Sequence, residues 1–355
     1  MERKSLCRAL GLAAACVLLS RAGMASAGIT IETVRVGDVG NAADTRVMEN
    51  DGTSGYGRVD YAYNIGKYEV TAGQYTAFLN AVAGVDTYAL YNTDMARTDV
   101  FSGITRSGAG TPGNPYTYSV AADFVNRPVN SVSFWDCCRF ANWLNNGQKA
   151  RAQDANTTEA GAYSLNGVMN PSNGSITRNA GAQWAVTSED EWYKAAYYDP
   201  NKSGVGSPGY WVYPTRSNTA PGRDITEATN TGNNANWYPM EGGCSGPFPI
   251  DNGYYTTLVG QFRYSASAYG TFDQGGNVAE WTEEIFERMG RGIPGGMYNF
   301  GVHFLAAGYL DWDGASGDGG SFHGFRVCQV PEPTSLGIVG LGVVGMLIRR
   351  RGAGR

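Results

Sequence analysis

The segment Gly276-Asn277-Val278-Ala279-Glu280-Trp281 (GNVAEW) decides how this 355-residue chain folds. Its glycine and asparagine favour a tight turn, and a carboxylate and an indole follow within four positions. Other short segments lie on both sides of it. In chain order they are Ile65–Thr71 (IGKYEVT), Arg127–Ser133 (RPVNSVS), Thr187–Ala196 (TSEDEWYKAA), Gly295-Gly296 and Gly324–Val327 (GFRV).

In this order and spacing, the segments resemble the formylglycine-generating-enzyme domain, also called the sulfatase-modifying-factor domain. The resemblance covers roughly residues 31–329 and implies an α+β, C-type-lectin-like fold. That fold has little regular secondary structure, short antiparallel sheets, a few helices and long ordered loops. Composition independently predicts a loop-rich, aromatic domain, since the chain has 50 glycines, 22 tyrosines and 8 tryptophans.

Hydrophobic spacing predicts three helices and several short strands. The helices are expected from Thr71 to Val82, from Ser131 to Asn145 with Ser133 as its cap, and from Thr187 onward, with Ser188 and Glu191 at capping-box spacing. The strands are expected at Ile29–Val39, Tyr61–Val70 and Trp184–Val186, with a hairpin-rich insertion at Gly161–Gly181.

The resemblance also locates the family's copper site, where two thiolates five positions apart follow a Gly-Gly-Ser motif. Soft sulfur ligands suit copper(I). In this chain Phe300 and Leu305 occupy the thiolate positions, Met297 replaces the serine and Pro294 replaces a frequent arginine. These departures predict that the chain neither binds copper nor generates formylglycine.

Calcium is the cofactor that the resemblance supports. One family site maps to a loop in which Asp273 and Glu280 offer carboxylates and Gly275, Gly276 and Val278 offer carbonyls. Calcium prefers such hard oxygen donors. A second site maps to Asn236, Trp237, Asp251 and Gly253. The alternative for both loops is that these residues only form turns.

Other catalytic arrangements have weaker support. The only two histidines, His303 and His323, could hold iron or zinc together with Asp311, Asp313 or Asp318, or they could be ordinary loop residues. Glu189, Asp190 and Glu191 resemble a general-acid cluster, but at a helix N-terminus such residues more often serve the cap and the helix dipole.

The last 25 residues have a separate pattern. Pro331-Glu332-Pro333 precedes the apolar run Leu336–Ile348, and Arg349-Arg350-Arg351 follows it. This order resembles the PEP-CTERM sorting tail, which implies recognition by an exosortase-type sorting protease and membrane contact before processing. The alternative is a buried terminal helix, since the run is shorter than the roughly 20 residues of a full span.

The N-terminus is typical of a signal peptide over residues 1–27. Arg3, Lys4 and Arg8 precede the apolar run Leu10–Leu19, and Ala25-Ser26-Ala27 is a cleavage site for signal peptidase, so the mature chain is expected to begin at Gly28.

In an exported protein the remaining cysteines either form disulfides or are buried free thiols. They are Cys137, Cys138, Cys244 and Cys328, and a pair between Cys328 and Cys137 or Cys138 is one expectation.

Charge narrows the class of partner. The chain has a formal net charge of −5, and both ends are basic, so the stretch between them is more acidic than the whole. This argues against nucleic acid and for cations or neutral glycans.

The sequence therefore predicts an exported protein of the cell surface or extracellular matrix with a calcium-stabilised, non-catalytic module that binds exopolysaccharide or protein. The alternatives are a metal-dependent oxidase of exported proteins and a purely structural matrix protein.

Overall fold

The computed structural model describes residues 28–99, 101–226, 229, 231–239, 250–251, 253–286, 290–315 and 322–330. The predicted signal peptide (1–27), the sorting tail (331–355), Cys244 and Asp318 lie outside these ranges. The α+β prediction is confirmed, because three helices and short, mostly antiparallel strands are connected by long loops.

Within the described ranges, the strands are two to four residues long and group into five small sheets. They are β1 Thr33–Val36, β2 Tyr63–Gly66, β3 Ile104–Ser107, β4 Thr117–Val120, β5 Trp184–Val186, β6 Tyr198–Asp199, β7 Gly209–Tyr210, β8 Ala279–Glu280, β9 Ile285–Phe286, β10 Gly290–Gly292, β11 Trp312–Gly314, β12 His323–Gly324 and β13 Val327–Gln329. The largest sheet has the order β1-β2-β13-β5, so the last strand lies between early ones and joins the two ends of the domain. The parallel pair β8–β12 joins the GNVAEW segment to the GFRV segment.

The three helices begin where the sequence predicts. They are α1 Ala72–Val82, α2 Phe134–Asn145 and α3 Glu189–Tyr197, and each starts with a capping box. The caps are Thr71, Ser133 and Ser188, whose side chains accept a hydrogen bond from the third helical residue. Each cap satisfies backbone N–H groups that have no partner inside the helix.

Helix α2 is buried on all sides. Two of its polar side chains are satisfied inside the protein: Arg139 pairs with Glu159 at 2.8 Å, and Asn142 donates to the carbonyls of Thr158 and Tyr163. Rings from other parts of the chain pack against it: the ring centroids of Phe78 in α1 and Phe325 near β13 lie 5.3 and 5.2 Å from that of Phe140. Helix α2 is therefore the centre of the main core.

The structure corrects three expectations. The first strand covers only Thr33–Val36 of the predicted Ile29–Val39. Residues 161–181 contain no strand, because side chains such as Asn142 and Asn179 bind the backbone there instead of a ladder. A hairpin, β3–β4, lies outside the segments in which strands are predicted.

The predicted disulfide to Cys328 is wrong. Cys137, Cys138 and Cys328 are free and fully buried. The Cys328 thiol donates to Glu191 Oε2 at 3.3 Å, and the Cys137 thiol donates to the Ser133 carbonyl at 3.1 Å. Across the described ranges, no helix is long and apolar enough to cross a membrane.

Candidate functional site

The loop that corresponds to the family's copper site is apolar. Met297 and Leu305 are buried, and Phe300 is half-buried. Of the two positions that would carry thiolates, Leu305 is the last residue of a short 3₁₀ turn, Val302–Leu305, and Phe300 precedes this turn. The loop is anchored by the Tyr238 N–H, which donates to the Phe300 carbonyl at 2.7 Å. Neither side chain at the two thiolate positions offers a soft ligand for copper.

Four rings form a contiguous aromatic cluster on this loop: Phe300, His303, Phe304 and Tyr309. The ring centroid of Phe304 lies 4.5 Å from that of Phe300, 4.0 Å from that of His303 and 4.6 Å from that of Tyr309. His303 is exposed, and the other three rings are half-buried. The aromatic cluster therefore presents π-faces and one imidazole to solvent at the position of the family's active site.

The predicted calcium loop begins with strained backbone. Asp273 and Asn277 have φ angles of 60° and 63°, a region that side chains rarely adopt. Gly276, with φ of 81°, lies so close to Asn236 that an added Cβ would be 2.0 Å from its carbonyl oxygen. Only glycine fits there, which explains the GN pair of the GNVAEW segment.

Glu280 is occupied by protein partners. Both of its oxygens accept 2.5 Å hydrogen bonds from Arg326, and Oε2 also accepts from Trp192 Nε1 at 2.8 Å. Arg326 is fully buried and also donates to the carbonyls of Gly66 and Phe272. This pair joins the GNVAEW and GFRV segments, so Glu280 serves the fold whether or not a cation binds nearby.

Two further carboxyl groups lie beside this pair, on the buried Glu69 and the half-buried Asp273. Burial, followed by the charges of Asp273 and Glu280, raises the pKa of Glu69, and burial raises the pKa of Asp273 to about 6. Carboxylates therefore outnumber the one guanidinium, which favours an added cation. The described side chains include no group of three or more His, Cys, Asp or Glu that could hold a metal. Calcium here would depend on Asp273 and on the carbonyls of Gly275, Gly276 and Val278.

The second predicted calcium loop lies against the first. The Asn236 carbonyl accepts from the Asn277 N–H at 2.9 Å, and Asn236 Nδ2 donates to the Tyr255 carbonyl at 2.8 Å. Asp251 Oδ2 accepts from Arg127 at 2.7 Å, so this carboxylate already has a cationic partner. Trp237 Nε1 donates to the Pro221 carbonyl at 3.1 Å, and Gly253 lies in a turn with open space around it.

A family model for the sulfatase-modifying factor enzyme 1-like domain matches residues 34–330. The chain belongs to this family. A model of the PEP-CTERM protein-sorting motif matches residues 329–351. The protein is therefore exported, sorted at the membrane and processed by an exosortase-type system.

Several solved structures are similar to this member of the family at low identity. CarF is 20% identical with a TM-score of 0.44, over 85% of this chain and 99% of that one. Treponema denticola variable protein 1 is 16% identical with a TM-score of 0.45, over 85% and 98%. PvdO from Pseudomonas aeruginosa is 18% identical with a TM-score of 0.42, over 84% and 91%. No curated protein matches the chain.

The two histidines of this family member differ in environment. His303 belongs to the exposed aromatic cluster, whereas His323 is buried on β12 with its ring centroid 5.0 Å from that of Trp281. His323 Nδ1 lies 3.6 Å from Asp313 Oδ2. The described residues do not assemble these groups into a metal site.

The carboxylates at the start of α3 are mainly structural. Glu191 completes the capping box and pairs with Arg178 at 2.7 Å, and Asp190 accepts from the Gly57 N–H. Glu189 differs, because its Oε1 is buried with no hydrogen-bond partner among the described residues. Sequence reasoning missed this difference, since nothing in the local pattern separates the three side chains.

Proposed function

We propose that this exported protein acts at the cell surface or in the extracellular matrix as a non-catalytic, calcium-stabilised binding module for exopolysaccharide or a surface protein. One observation carries the proposal. Phe300 and Leu305 occupy the positions at which the family's oxidases place copper thiolates; Phe300 packs against the main core, and Leu305 is fully buried. Copper(I) has no soft ligand at this loop other than the thioether of Met297.

The described cysteines are poor substitutes for the missing ligands. Cys137 and Cys138 lie on α2 and Cys328 on β13, all in the main core. Burial raises the pKa of each thiol, so they remain protonated at neutral pH. Copper binds the thiolate, so relocation of the oxidase site to these residues is disfavoured.

Calcium is proposed as the resident ion, at one or both of the adjacent loops. Asp273 with the carbonyls of Gly275, Gly276 and Val278 would hold it in the first. Asn236, Trp237, Asp251 and Gly253 would hold it in the second. The raised pKa of Asp273 supports the first loop, since an oxygen-bound cation would stabilise the ionised carboxylate. The ion would fix loops that have little regular structure.

Metal analysis of the exported, processed protein tests this proposal. After dialysis without chelator, we expect about one or two calcium ions per chain, no copper or iron, and no oxygen consumption with a cysteine-containing peptide. Removing calcium with EGTA should lower Tm by several degrees, because an ion that binds only the folded state stabilises it.

Two variants sharpen the metal assignment. Asp273→Asn should lose calcium from the first loop, and Asp251→Asn serves as its matched counterpart in the second. Stoichiometric copper or iron with oxygen uptake would overturn the proposal in favour of the alternative, a metal-dependent oxidase of exported proteins. In that case His303 and His323 would be the first residues to substitute.

A further inference from the structure

We propose that the aromatic cluster Phe300, His303, Phe304 and Tyr309 is a stacking platform for the face of an uncharged pyranose sugar. This inference rests on the proposed binding role and specifies both the site and the class of ligand. A sugar ring has an apolar face of C–H groups and a rim of hydroxyls. It therefore fits a site that combines aromatic rings with polar acceptors.

The ring geometry gives the platform more than one orientation. Phe300 and Phe304 are inclined by 49°, His303 and Phe304 by 38°, and Phe304 and Tyr309 by 75°. Phe304 contacts all three other rings and is thus the centre of the cluster. His303 is the exposed member, so a ligand reaches it first.

The backbone holds these rings rigidly. Leu305 inserts into the core within the same 3₁₀ turn, and the Ala307 N–H donates to the Val212 carbonyl at 2.8 Å. The Phe300 carbonyl is bound by Tyr238 on the other side. Rings that are already fixed lose little conformational entropy when a ligand binds.

We take the polar groups beside Gly308, the residue before Tyr309, as the rim of the platform. The Glu49 N–H donates to the Gly308 carbonyl at 2.8 Å, and Glu49 Oε1 would be 3.5 Å from a Cβ at Gly308. Glu49 is exposed, so its carboxylate can accept hydrogen bonds from sugar hydroxyls. The neighbouring Arg46 is paired with Asp44 at 2.8 Å. A carboxylate at the rim repels uronate or sulfate groups, which favours neutral over anionic glycans.

Affinity electrophoresis of the full processed protein in gels containing dextran, laminarin or alginate tests the site. We expect retardation by a neutral glucan and none by alginate. Phe304→Ala should weaken neutral binding roughly tenfold, since it removes the central ring, and His303→Ala should weaken it severalfold. Trp312→Ala, at an exposed ring on β11, is the matched control and should bind like the wild type.

Each outcome decides the inference. The loss of glucan binding in Phe304→Ala counts only if this variant keeps a near-wild-type Tm and circular dichroism spectrum. If it unfolds, His303→Ala and Glu49→Gln test the site instead, because both positions are exposed. Unchanged binding in these variants, retardation only by alginate, or no retardation by any of the three polysaccharides would overturn the inference. The proposed non-catalytic role would survive those results as long as copper and oxygen uptake are absent.

Discussion

At the scale of single residues, two neighbours on one helix have opposite electrostatics. Burial raises the pKa of Glu189 to about 8, and the charges of Glu284 and Asp190 add to this. Burial would also raise the pKa of Glu191, but Arg178 and hydrogen bonds lower it to about 2. Glu191 has a guanidinium 2.7 Å away, whereas Glu189 has one hydrogen bond, from Thr282, and negative neighbours.

Glu189→Gln should therefore stabilise the protein at alkaline pH. The pKa of Glu189 is higher in the folded than in the unfolded chain. Below pH 4.5 the carboxyl group is protonated in both states and does not lower the free energy of unfolding. As pH rises towards 8, the unfolded chain ionises more readily than the folded one, so the free energy of unfolding falls. We expect a gain of roughly 1–3 kcal/mol at pH 8 and little change at pH 4. Urea unfolding across this pH range measures it.

Glu191→Gln is the control of opposite sign. The pKa of Glu191 is lower in the folded than in the unfolded chain, so its ionised carboxylate stabilises the folded state above pH 4.5. This stabilisation is lost as pH falls towards 2. This variant should be less stable than the wild type at neutral pH. Equal pH dependence of the two variants and the wild type would show that neither carboxyl group has a perturbed pKa.

At the scale of elements, the start of each helix is specified by nearby residues, whereas its packing depends on residues far along the sequence. The capping boxes of α1, α2 and α3 each involve residues three positions apart, so their starts are readable from the chain. The burial of α2 on all sides depends on partners far along the sequence, such as Glu159 and Phe325. A helix can therefore be placed by its cap although its surroundings cannot.

Ser188→Ala should weaken α3. It removes the hydrogen bond that the Ser188 hydroxyl accepts from the Glu191 N–H, and loss of such a cap costs about 1 kcal/mol. Ser188→Thr keeps a hydroxyl at the cap and should recover most of this loss. The free energy of unfolding in urea gives both values, and a Thr variant as unstable as Ala would contradict the capping explanation.

At the scale of the whole molecule, stability depends on packing and buried ion pairs and not on disulfides among the described cysteines. Arg326, just before β13, pairs with Glu280 of β8, and Arg127 with Asp251 connects the α1–α2 region to the second predicted calcium loop. Removing one partner of such a pair leaves an uncompensated buried charge and is strongly destabilising. These pairs provide long-range connections in a fold with few strands.

Reduction should leave Tm unchanged. Cys137, Cys138 and Cys328 are free, so dithiothreitol has no bond to break among them. Differential scanning calorimetry with and without reductant measures this. A fall of several degrees would contradict the free thiols, because it would indicate a disulfide worth about 2–4 kcal/mol that includes at least one of these three cysteines.

The sequence by itself determined the family, the helix starts and the loss of the copper thiolates, because each depends on residue identity or on contacts a few positions apart. Gly276, Ser133, Ser188 and Phe300 are readable in this way. Only the tertiary structure decided which carboxylates have a guanidinium partner, which thiols are buried and which rings face solvent. Glu280 meets Arg326 across 46 positions, and Arg127 meets Asp251 across 124. Such pairs form because distant segments pack together, and the local sequence does not indicate which distant residue will be the partner.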